Sequence, residues 1–137
     1  MGQCKALILT CMDYRIQEAV LGFADLNELR GAYDLIAVAG AQKVLADVSL
    51  RFALMKQIKL AVEQHGANMI CIIAHEDCGA YGGSAAFQSK EAEIAAYRKD
   101  MDAVLALLTR HFPDVKIYAY ICQPVGDGTW ETSRFRK

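Results

Sequence analysis

Four short apolar runs constrain most strongly what this chain can fold into: KALILTC (5–11), DLIAVAG (34–40), NMICIIAH (68–75) and VKIYAYIC (115–122). They are near-continuous rather than alternating, which is how parallel strands read when both faces of their sheet are covered. Helical spacing fills the gaps. Ile16, Ala19, Val20 and Phe23 open a first helix that should end by Gly31. Val44, Val48, Phe52, Met55, Ile58 and Val62 mark a second, closed by HGAN (65–68). Ile94, Tyr97, Met101, Val104, Leu105, Leu108 and Phe112 mark a third, stopped by Pro113. Strands alternating with helices predict an α/β fold: a small, mostly parallel sheet of about four strands with helices on both faces. The stretch PVGDGTWET (124–132) predicts a turn and a short antiparallel edge strand, and SRFRK (133–137) a solvated tail.

With 137 residues the chain is expected to form one domain over 1–137, large enough to bury a core without disulfide staples. Net charge is −1 with both signs interspersed, so neither a nucleic-acid nor a membrane surface is expected. No apolar run approaches the roughly 18 residues of a bilayer span, and MGQCKALILT lacks a signal-peptide pattern. The cysteines Cys4, Cys11, Cys71, Cys78 and Cys122 are odd in number and irregularly spaced. That argues against a disulfide framework and for a reduced, cytoplasmic protein with special thiols. Cys71 and Cys122, inside apolar runs, read as small hydrophobes.

In an open parallel sheet, ligands bind beyond the carboxyl ends of the strands. The first run ends in Cys11-Met-Asp13-Tyr-Arg15 and the third in His75-Glu-Asp-Cys78-Gly79. Alternate residues of an extended chain share a side, so Cys11, Asp13 and Arg15 should leave the first strand together. A thiol, a carboxylate and a guanidinium side by side cost too much desolvation for a plain core. His75 and Cys78, three apart in a turn, can donate to one metal ion, with Cys11 as a third ligand. Two thiolates and an imidazole favour Zn²⁺, one per chain, and three protein ligands leave one position open, as in catalytic zinc sites.

CMDYR, followed some sixty residues later by HEDCG with GAYDLIAVAGA between, resembles the β-class carbonic anhydrases. The likeness runs from about Leu7 to Gly83 and more loosely beyond. It implies Cys11, His75 and Cys78 as zinc ligands and Asp13 and Arg15 as a catalytic dyad. Ala37-Val38 stands where the family has Arg-Asn before Ala-Gly, so a polar pair near the site is missing. Ten residues precede Cys11, without the family's helical extension, and Gln3 lies near the place of a substrate-facing glutamine but out of register.

The resemblance implies a zinc lyase that hydrates CO₂ reversibly to bicarbonate, a zinc-held hydroxide attacking the carbon. Asp13 would orient the water and Arg15 would hold Asp13 off the metal. Tyr14 and Tyr81 are candidates for lining a small apolar pocket, and Glu76 or Asp77 for orienting a ligand. Alternatives are a same-site hydrolase of carbonyl sulfide or carbon disulfide, and an inactive zinc-binding homologue. A thiol-phosphatase loop of the Cys-x₅-Arg type fits less well, because only three residues separate Cys11 from Arg15. Leu45, Leu50, Leu54 and Ala61 widen the apolar surface of the second helix, from which a homodimer is expected.

Overall fold

The structure, a computed structural model, describes residues 2–136. Five strands, β1 (Ala6–Thr10), β2 (Tyr33–Ala37), β3 (Met69–His75), β4 (Lys116–Gly126) and β5 (Thr129–Arg136), form one sheet in the order β2-β1-β3-β4-β5. The first four are parallel and β5 runs antiparallel beside β4. Four helices connect them: α1 (Gln17–Leu26), α2 (Ala41–Ala46), α3 (Phe52–Glu63) and α4 (Lys90–His111).

The continuous apolar runs are explained by two cores, one on each face. Leu7, Leu9, Ile70 and Ile72 meet α2, α3 and the Met101–Leu108 side of α4. Ala6, Ile8, Cys71 and Ile73 meet Ile16, Val20 and Phe23 from the first helical segment. Successive strand residues serve opposite faces, so β1 and β3 are apolar throughout except at their carboxyl ends, Thr10 and His75. Each fully buried Leu or Ile contributes about 1.5–3 kcal/mol.

Three expectations need correction. The stretch expected as one helix from Val44 to Val62 is two, because Asp47 is extended (φ −91°, ψ 113°) and its side chain accepts from Ser49 N–H (2.9 Å) and Oγ–H (2.6 Å). This local turn competes successfully with the helix. The break also rotates the buried stripe: Leu45, Leu54, Ile58 and Ala61 go inward, while Val48 and Phe52 are 79 % and 72 % exposed. Second, the chain end through Arg136 is not a solvated tail. Asp127 (φ 54°) and Gly128 (φ 73°) make a tight hairpin, β5 continues to Arg136, and Phe135 packs against both cores. Third, β1 pairing stops at Thr10, and Tyr14–Ile16 form a 3₁₀ turn. Arg15 therefore meets Asp13 through a turn rather than through strand alternation.

Candidate metal centre

Cys11 follows β1, His75 closes β3, and Cys78 lies in the turn after it, so the parallel pairing of β1 with β3 brings the three together. They are 5 %, 0 % and 1 % exposed, and one ligand atom from each lies within 4.8 Å of the other two. The Sγ atoms of Cys11 and Cys78 are 4.0 Å apart, and both thiols are free. His75 Nδ1 faces the Glu76 carbonyl at 2.8 Å, which fixes the proton there and leaves Nε2 with its lone pair. Nε2 is buried and has no hydrogen-bond partner. A buried polar atom left without a partner costs about 1–3 kcal/mol, a cost that a bound group would offset. Two thiols and an open imidazole nitrogen fit zinc.

The electrostatics agree with this donor set. Cys11 accepts from the Cys78 thiol and, at 3.5 Å, from Gly40 N–H, which pulls its pKa down despite burial. Cys78, facing that thiolate, is pushed up instead. Burial disfavours a charged His75, but the adjacent Cys11 outweighs it and raises the imidazole. A cation among the three would relieve both competitions.

Asp13 Oδ2 is 3.9 Å from His75 Nε2. Arg15 grips Asp13 through Nη2 to Oδ2 (2.7 Å) and Nε to Oδ1 (3.1 Å), and Arg15 N–H donates to Oδ1 (2.9 Å). Those hydrogen bonds hold the carboxyl down at about 2. The rest of the guanidinium is used by Asp77: Nη1 to Oδ2 at 2.9 Å and Nη2 to the carbonyl at 2.9 Å. Asp77 thus supplies a polar partner to the dyad where Ala37-Val38 supplies none. Trp130 of β5 stacks under the guanidinium at 5.3 Å and meets the His75 ring edge-on at 6.2 Å. A groove of about 470 Å³ between α1 and β5 ends at Arg15 and Trp130.

Glu93, Tyr97 and Ser84 hold the metal-site turn. Glu93 is 2 % exposed and its carboxyl group accepts from Asp77 N–H (2.7 Å), Ser84 Oγ–H (2.9 Å) and Tyr97 O–H (2.6 Å). The Tyr97 oxygen in turn accepts from Cys78 N–H at 3.2 Å. Gly40 (φ +58°) is fitted so closely that a Cβ there would lie 2.5 Å from Ala80 Cβ. Sequence reasoning missed this support, although a carboxylate at 93 on the Tyr97–Met101–Val104 stripe was a visible signal.

Other candidates fall elsewhere. Tyr14 is 86 % exposed, whereas Tyr81 packs on Tyr97 (4.7 Å) and donates to Asp100 (2.6 Å). Gln3 sits against Gly66 where the strands begin, away from the centre, because the chain reaches the site only after crossing β1. Glu76 pairs with Lys90 at 3.1 Å and accepts from Gln123.

A doubly covered, mostly parallel sheet with a Cys-His-Cys cluster at its carboxyl edge defines an α/β protein with a candidate metal centre. A family model described as putative carbonic anhydrase matches residues 1–122, and the chain belongs to that family. The putative carbonic anhydrase YvdA of Bacillus subtilis is 33 % identical over 115 residues, covering 83 % of this chain and 53 % of YvdA. An uncharacterised protein of Rickettsia conorii is 22 % identical over 127 residues, covering 88 % of this chain and 68 % of that protein. Among solved structures, the β-carbonic anhydrase CafA of Aspergillus fumigatus matches with a TM-score of 0.63 at 16 % identity, covering 99 % of this chain and 78 % of CafA. One of two tetrameric β-carbonic anhydrases of Sordaria macrospora matches with a TM-score of 0.66 at 14 % identity, covering 96 % and 81 %. The fold is that of the β-carbonic anhydrases, with β5 as the antiparallel edge strand.

Proposed function

We propose that this chain is a zinc lyase, one domain over 1–137, that hydrates CO₂ reversibly to bicarbonate. Cys11, His75 and Cys78 hold one zinc ion, and Asp13 and Arg15 act beside it. The observation that carries the reading is the buried, unpartnered His75 Nε2 between two thiols, with a restrained carboxylate 3.9 Å away. Bound zinc supplies Lewis-acid activation of water, weaker with two thiolates than with three imidazoles, so activity should favour alkaline pH. Asp13 accepts a hydrogen bond from the attacking water and orients its lone pair toward the carbon. Arg15, anchored at its far end by Asp77, keeps that carboxylate from swinging into the open coordination position. Trp130 covers the guanidinium and limits water at the dyad.

Five free cysteines support a cytoplasmic setting. The exposed Val48 and Leu50 between α2 and α3, with Phe52 at the start of α3, support a homodimer, to be measured by light scattering. Stopped-flow CO₂ hydration on protein of measured zinc content, at about pH 7 and in mild alkali, tests the activity, with Cys78→Ser as blank. Fast zinc-dependent turnover rising with pH is the expected result. No turnover at full zinc occupancy would sink it and leave carbonyl sulfide, carbon disulfide or an inactive homologue.

A further inference from the structure

At the opposite edge of the sheet, where the strands begin, three more donors converge. Cys4 precedes β1, Asp34 is the second residue of β2, and His65 lies in the loop between α3 and β3. One ligand atom from each lies within 4.8 Å of the other two. We infer that Cys4, Asp34 and His65 form a second, exchangeable site for a divalent metal ion, with Zn²⁺ the best match to a thiolate, an imidazole and a carboxylate.

The backbone fixes all three donors. Cys4 N–H donates to the His65 carbonyl at 2.8 Å, and Asp34 sits in the ladder opposite Leu7. Zinc bonds of about 2.0–2.3 Å at tetrahedral angles separate ligand atoms by about 3.3–3.8 Å, so shifts on the order of 1 Å complete the site. His65 Nδ1 and Asp34 Oδ2, 2.6 Å apart, share a proton that the ion would replace. A plain ion pair accounts for those two residues but leaves Cys4 unexplained. The three side chains are only half-buried, and a cleft of about 240 Å³ lined by Leu7, Asp34, Leu60 and His65 gives an ion access. The exposed position and the competing proton make this the weaker of the two sites.

The test is zinc stoichiometry and affinity on the full chain, by metal analysis and competition with a chelating dye. Cys4→Ser should hold one equivalent fewer than the wild type, whatever the occupancy at Cys11, His75 and Cys78, and Cys78→Ser should retain the equivalent that Cys4→Ser loses. His65→Gln should weaken that equivalent by at least about tenfold. Equal zinc content in wild type and Cys4→Ser would overturn the site, as would affinity unchanged in His65→Gln. Should Cys4→Ser not fold, alkylation of wild-type Cys4 by iodoacetamide, located by peptide mapping, decides. Protection by Zn²⁺ is expected, and full labelling at saturating Zn²⁺ overturns the proposal.

Discussion

Where the strands end, Cys11, His75 and Cys78 are sealed in the protein and His75 Nε2 has no partner. Where they begin, Cys4, Asp34 and His65 are half-buried, and Asp34 and His65 already satisfy each other at 2.6 Å. The donor types overlap, yet the energetics differ. At the carboxyl end the protein has desolvated its donors and left one unpaired, a cost that only a ligand offsets. At the amino end the Asp34–His65 hydrogen bond already satisfies both groups, so occupancy of the proposed site would follow the surrounding zinc concentration. The surroundings differ too: Glu93, Tyr97, Gly40 and Arg15 brace the first cluster, whereas a single backbone hydrogen bond ties Cys4 to His65.

The largest expected effect is at the buried end. Loss of a supporting hydrogen bond to a metal ligand costs about 10–100-fold in affinity or activity, so Cys78→Ser should cost at least about 100-fold in CO₂ turnover. Retained activity in stopped-flow assays would break the contrast at once. Arg15→Gln comes next. By releasing Asp13, the group that accepts from the water, it should lower turnover by about 100-fold with zinc content unchanged. The same variant has an acid signature. The Asp13 carboxyl lies at about 2 against an ordinary 3.8, so its contribution to stability is complete above that ordinary value and disappears as pH falls toward 2. Arg15→Gln should return the carboxyl toward 3.8 by NMR titration and flatten the loss of stability across that window in urea denaturation.

Glu93→Gln replaces a buried acceptor of three donors and should cost about 1–3 kcal/mol of stability by urea denaturation. It should also weaken zinc at the buried centre by about tenfold, read by dye competition, if the turn is what fixes Cys78. The smallest effect belongs to the other end. Asp34→Asn removes a half-exposed ion pair and should change stability by less than about 1 kcal/mol. A larger loss in urea denaturation would mean that the amino-end cluster is a structural post and that the contrast drawn here is too sharp.

The parts of this molecule legible in the sequence are those decided by local pattern. Buried parallel strands need apolar residues at every position, and the residues at their ends, Cys11, Asp13, Arg15, His75 and Cys78, follow from where the pattern stops. Competition between local interactions was less visible. Asp47 could continue a helix or fold back on Ser49, and only the packing of Leu54 and Ile58 decides. Phe135 looked solvated among charges until β4 gave its strand a partner. Glu93 and Trp130 reach the centre from 15 residues beyond Cys78 and from the last hairpin, distances that no motif spacing encodes. Pairing of Cys4 with His65 depends on which loop lies beside the start of β1, which is a property of strand order.

The near-contact between Gly40 and Ala80 also governs time. The turn that carries Cys78 is wedged against the end of β2 on one side and tied to α4 on the other. If zinc is held there as proposed, it would leave only as fast as that turn opens, and its residence would be set by local unfolding rather than by coordination chemistry. Chelators should therefore strip zinc from this chain at a rate independent of chelator concentration once the exposed end has been emptied.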